Sequence, residues 1–113
     1  MSEVEDKTTA LLAQLWKKNR PIVEERLATL DQAAAAAASS GLSSDLRREA
    51  AQAAHKLAGA LGMYGYDEGT NIAREIDALL SSDVPGVAHL AELTARLRAA
   101  VFPGERPMAH GGA

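Results

Sequence analysis

The stretch QAAHKLAGALGMYGYDEG, Gln52 to Gly69, sets one histidine inside an alanine- and leucine-rich pattern and follows it with Gly59, Gly62 and Gly65. Alanine and leucine are strong helix formers, whereas glycine in a helix interior costs about 0.5–1 kcal/mol relative to alanine. On a wheel of roughly 100° per residue, Leu46, Ala50, Ala53, Leu57, Leu61 and Tyr64 share a stripe about half a turn from His55. That stripe reads as a core face. Around His55 lie Arg48, Ala51, Gln52, Ala58, Gly59 and Gly62, all small or polar, so the imidazole is expected to point away from the core.

Further helical segments lie on either side. A serine cap at Ser43 or Ser44, with Asp45 in the first turn, opens the histidine helix, which is expected to end at Gly62 or Gly65. Asp67 caps the next, with Ile72, Ile76, Leu79 and Leu80 at helical spacing. Pro85 is placed to start another, carrying Val87, Leu90, Leu93, Leu97 and Val101 along one side. Upstream, Leu11, Leu12, Leu15 and Trp16 form a stripe preceded by Glu3, Glu5 and Asp6 and followed by Lys17, Lys18 and Arg20, a charge order that suits a helix dipole. Pro21 then predicts a bend and a new helix through Ile22, Val23, Leu27 and Leu30, ending near Gly41.

No segment alternates with the period of a strand, and the connections are short. The expected fold is all-α: an antiparallel up-and-down four-helix bundle over residues 1–102, with a short additional N-terminal helix as an accessory lid. Residues 103–113, PGERPMAHGGA, are too polar and glycine-rich to pack and are expected to form a disordered tail.

Composition narrows the function. The 113 residues suffice for one modest core, 47% hydrophobic but only 4% aromatic. A net charge of −3 supplies no basic face for a phosphate backbone, so nucleic acid is an unlikely partner. The absence of cysteine excludes disulfides, thiolate metal sites and thiol nucleophiles. The longest purely alanine run, Ala33 to Ala38, is far short of the ~20 apolar residues of a membrane span. The start MSEVEDK is acidic where a signal peptide is basic, so the reading is cytoplasmic with no membrane partner.

The glycine one turn after His55 has a physical use. Without a side chain at Gly59, a bulky group or a second protein can approach the outer ring nitrogen; the plain alternatives are tight helix packing there and an ordinary surface histidine. A neutral imidazole offers one unprotonated nitrogen as a nucleophile. Phosphoryl groups suit it, since in-line transfer needs space about phosphorus and positive charge near its oxygens. Lys56, Arg48 and Arg47 are candidate cations, with solvated surface as their alternative reading. If the hairpin is centred near Tyr66, Asp77 falls level with His55 and can hold its other nitrogen, or be a surface carboxylate.

The residues AHKLAGALGMYGYDEGTNIAREID resemble the signature of the histidine-containing phosphotransfer (HPt) domain of multistep two-component phosphorelays. The resemblance rests on histidine followed by leucine at the second place and glycines at the fourth, seventh and tenth: His55, Leu57, Gly59, Gly62 and Gly65. It implies a four-helix bundle in which His55 is phosphorylated on its outer nitrogen and exchanges phosphate with the aspartate of a response-regulator receiver domain. A hybrid sensor histidine kinase is the implied upstream partner. Mg²⁺ and acid chemistry then belong to the receiver, leaving this chain a phosphocarrier without its own ATP site, metal or other cofactor. One departure stands out: many members carry lysine at the third place after the histidine, where this chain has Ala58, and Lys56 is the candidate replacement.

Competing constellations are weaker. GALGMYG lacks the lysine–serine pair and preceding strand of a phosphate-binding loop. His89 and His110 share no metal-ligand spacing with His55. The reading from another class is a helical docking module that binds and regulates a receiver or histidine kinase without carrying phosphate.

Overall fold

The computed structural model describes residues 3–39, 41–81 and 89–102. These form four helices: α1 (Glu3–Ala38), α2 (Ser44–Met63), α3 (Asp67–Ser81) and α4 (Leu90–Val101). Neighbouring helices run antiparallel. α2 lies between α1 and α3, and α4 closes the bundle against α3 and α1. Pairs of contacts fix the directions: Asn19 with Tyr64 between α1 and α2, Arg47 with Leu80 and His55 with Asp77 between α2 and α3, and Arg98 with Asp31 from α4 to α1.

The core follows the helical period. Leu27, Leu30, Leu57, Leu61, Ile76 and Leu97 are fully buried, each such side chain contributing about 1.5–3 kcal/mol relative to exposure. Ala33, Ala50, Ala54 and Ala73 are fully buried between them, which lets helices rich in small residues pack closely.

Two helix ends position what matters later. Ser43 caps α2, its hydroxyl accepting from the Leu46 amide at 3.1 Å. At the other end Gly65 adopts φ +81°, a left-handed conformation that suits glycine. The Tyr66 amide then donates to the Leu61 carbonyl at 3.0 Å and the Gly65 amide to Gly62 at 3.2 Å, the paired bonds of a Schellman stop. α3 begins two residues after Gly65, so the hairpin is tight. Gly41, at φ +102°, ends α1 as expected, its amide meeting the Ala36 carbonyl at 2.7 Å.

The short additional N-terminal helix is not found: α1 is one helix of 36 residues that contains Pro21. The helix continues through the proline because tertiary contacts hold it on both sides. Before it, Trp16 packs edge-on against Tyr64 and at a tilt against Tyr66 and Phe102, at centroid distances of 5.2, 5.0 and 5.9 Å, and Asn19 donates to the Tyr64 hydroxyl at 2.7 Å. After it, Val23, Leu27 and Leu30 enter the core. An interior proline costs about 3 kcal/mol, and ring contacts of about 0.5–1.5 kcal/mol each, beyond their burial, offset it. Pro21 and Lys17, whose carbonyl loses its N–H partner, are both exposed, which leaves that carbonyl to water.

Nor does the upstream stripe act as a lid. Leu11, Leu12, Leu15 and Ile22 are 57, 37, 37 and 45% exposed, with only Trp16 of the stripe packing on the core. The expected tail at 103–113 and the expected helix start at Pro85 lie outside the described residues.

Candidate functional site

His55 stands on the outer side of α2, its side chain 79% exposed. The Schellman stop at Gly65 turns α3 back beside it, and Asp77 of α3 comes level. Asp77 Oδ2 lies 3.2 Å from His55 Nδ1, and Oδ1 accepts from the Ser81 hydroxyl at 3.3 Å. An ionised carboxylate only accepts, so this contact places the ring proton on Nδ1. Nε2 of the neutral ring is then the unprotonated, nucleophilic nitrogen.

A groove of about 460 Å³ surrounds the ring, lined by Arg48, Ala51, Gln52, His55, Lys56 and Asp77. Arg48, Gln52, His55, Lys56 and Asp77, all candidate site residues named from the sequence, therefore line one groove. Arg48 is already engaged, donating to Asp45 at 2.7 Å. Arg47 does not join the groove; its guanidinium donates to the Leu80 carbonyl at 2.9 Å, satisfying a free carbonyl at the end of α3.

The glycines separate by surroundings. A Cβ built at Gly59 would meet nothing within 4 Å, so helix packing does not require glycine there. At Gly62 the nearest atom would be Thr70 Oγ1 of α3 at 3.6 Å, an ordinary contact, so packing does not demand glycine there either. Ala58 also departs from expectation: it is 8% exposed and belongs to the core, not to the strip around His55.

A slightly larger groove, about 510 Å³, runs between α3 and α4 past Glu75, Leu79, His89, Glu92 and Arg96. No hydrogen bond among the described residues joins His89 to either glutamate, so no tautomer is set there and the His55 groove is the better chemical site. Among the described residues, no three histidine, cysteine or acidic side chains gather as a metal site. No described helix is long and apolar enough to cross a membrane.

The model of the Hpt domain family matches residues 14–101. The chain belongs to the Hpt family. No curated protein and no solved structure gives a match. Hpt domains serve phosphotransfer in phosphorelays, as carriers rather than ATP-binding kinases. In this Hpt domain the match spans the helical bundle and begins just before Leu15, leaving the start of α1 outside it. Sequence reasoning missed the Trp16–Tyr64–Tyr66–Phe102 cluster that holds the bundle's end beyond the histidine. The signal available was that all four aromatic residues of the chain fall at predicted helix ends.

Proposed function

We propose that the chain is a cytoplasmic phosphocarrier in which His55 Nε2 takes a phosphoryl group from the aspartyl phosphate of a response-regulator receiver and returns it to another. The supporting observation is the Asp77–His55 contact at 3.2 Å, on an imidazole 79% exposed within an Hpt family match. In the forward step the Nε2 lone pair forms the N–P bond while the P–O bond to the receiver's aspartate breaks, and the carboxylate leaves with the electron pair. The ring becomes cationic as it attacks. Asp77 holds the Nδ1 proton and stabilises that charge throughout.

Lys56 and Gln52 line the groove and are the groups for the phosphoryl oxygens. Arg48, bound to Asp45, adds positive potential at greater distance. Gly59 leaves open the side from which the receiver approaches. A hybrid sensor histidine kinase supplies the phosphate upstream through its own receiver, and the metal and acid groups come with the receiver.

The test is transfer of radiolabel from a phosphorylated receiver to the purified chain. The carrier reading expects acid-labile, base-stable label on the wild type and none on His55→Gln. Binding without label across the receivers of its own organism would instead identify a regulator that docks without carrying phosphate.

A further inference from the structure

Thr29 in α1 donates its hydroxyl to the Glu25 carbonyl at 3.3 Å, and Ser39, just past α1, donates to that of Ala35 at 3.0 Å. Bonding back one turn to the main chain is the usual choice of a serine or threonine in or beside a helix. Ser81 departs from it. As the last residue of α3 it also has a partner four residues back, Asp77, but its hydroxyl donates to the side chain, Oδ1 at 3.3 Å. The other oxygen of that carboxylate is the one 3.2 Å from His55 Nδ1. Ser81, Asp77 and His55 therefore form one line of contacts from the end of α3 to the imidazole on α2.

The arrangement follows from the helix. Residues four apart share a face, and helical side chains lean toward the N-terminus, so Ser81 covers the turn that carries Asp77. A second contact ties the same turn to α2. Arg47, about two turns before His55, donates to the Leu80 carbonyl at 2.9 Å. The backbone next to Ser81 is thereby anchored to the helix that carries the histidine.

Asp77 needs a second hold. The terminal torsion of an aspartate is broad and roughly two-fold, and this side chain is 30% exposed, so a contact at Oδ2 alone leaves the carboxylate free to turn toward water. A hydrogen bond on each oxygen fixes its plane. We propose that Ser81 is a positioning residue for phosphoryl transfer at His55: it holds the Asp77 carboxylate with Oδ2 toward Nδ1, which keeps the ring proton there and Nε2 unprotonated. The inference rests on the reading of His55 as the phosphoryl carrier. Ser81 transfers no proton and touches no phosphorus; its hydroxyl donates to Oδ1 before and after the N–P bond forms. The bond from Ser81 is longer than most between two oxygens, so its removal should cost less than removal of Asp77 itself.

The test compares Ser81→Ala, Ser81→Thr, Asp77→Ala and the double variant Asp77→Ala, Ser81→Ala in the full chain. Ring ¹⁵N shifts of His55 report the tautomer, and single-turnover transfer from a phosphorylated receiver reports the chemistry. Ser81→Ala should keep the wild-type denaturant midpoint, move His55 toward the tautomer protonated on Nε2, and slow transfer at saturating receiver by about threefold. The receiver concentration at half-saturation should not change. Ser81→Thr keeps the hydroxyl and should restore both the ring shifts and the rate. Once Asp77 is alanine, Ser81→Ala should add no further loss, because the two residues act as one unit. Wild-type ring shifts and rate in Ser81→Ala overturn the proposal, as does a threonine variant that restores neither. A further loss of about threefold in the double variant also overturns it, since Ser81 then acts without Asp77. A raised half-saturation with an unchanged maximal rate overturns it and gives Ser81 to receiver binding. The ring shifts are read on the unphosphorylated chain: if no label ever reaches His55, the carrier reading falls, while the hold of Ser81 on Asp77 is still decided by the shifts.

Discussion

Asp77 of α3 holds Nδ1 of His55 on α2 at 3.2 Å, across a hairpin whose tight turn is closed by Gly65. The contact is partly open to water, with side-chain exposures of 79% for the histidine and 30% for the aspartate. Its value is therefore in orienting the ring and selecting the tautomer more than in stability. Asp77→Ala should leave the unfolding midpoint close to wild type and convert His55 to a mixture of tautomers, read from ring ¹⁵N shifts. Phosphotransfer to His55 should slow by about tenfold. Unchanged tautomer populations would remove Asp77 from the site.

At Gly59 space and propensity pull the same way. A methyl group there meets nothing within 4 Å, so Gly59→Ala should stabilise α2 by about 0.5–1 kcal/mol in denaturant titration. Gly59→Leu should fold equally well yet slow transfer from a receiver, because its side chain occupies the approach to the imidazole. Wild-type transfer in the leucine variant would show that the clearance has no function.

Gly65 behaves oppositely. Its φ of +81° strains any residue with a Cβ, so Gly65→Ala should destabilise the protein by about 1 kcal/mol although a Cβ there would meet nothing within 4 Å. The loss should appear as a lower denaturant midpoint with an unchanged slope. Stability at the wild-type level would mean that the turn relaxes to another form.

Thr94 is 2% exposed, and its hydroxyl finds no hydrogen-bond partner among the described residues. A buried unsatisfied hydroxyl costs about 1–3 kcal/mol. Thr94→Val keeps the shape and removes the polar atom, so it should raise stability by about 1 kcal/mol. A clear loss of stability would show that the hydroxyl does have a partner in solution.

The histidine helix and its hairpin were legible because their determinants are local. The alanine and leucine stripe, the serine cap at Ser43 and the stop at Gly65 are all read within a few residues, and the short turn made it possible to count across from His55 to Asp77. Pro21 is the opposite case. Its local signal is a helix break, and what overrides it comes from Tyr64, Tyr66 and Phe102, more than 40 residues away in the chain. Wheel angle alone places Ala58 in the imidazole's surroundings, but it cannot show that the neighbouring helices pack closely enough to bury that side chain. Arg47 lies near the site in sequence, but its long side chain reaches the Leu80 carbonyl instead.

His55 and Asp77 stand 22 residues apart in one hairpin, and this bears on the order of assembly. Short-range contacts form with the smallest loop-closure penalty. The contacts of α1 with α4, such as Asp31 with Arg98 at a separation of 67 residues, close a far longer loop. During folding, the α2–α3 hairpin is expected to gain protection first, so the face carrying His55 and Asp77 exists before the helix that completes the bundle has docked. Pulsed hydrogen exchange should show amides of α2 and α3 protected ahead of those in α4; simultaneous protection of all three helices would contradict that order.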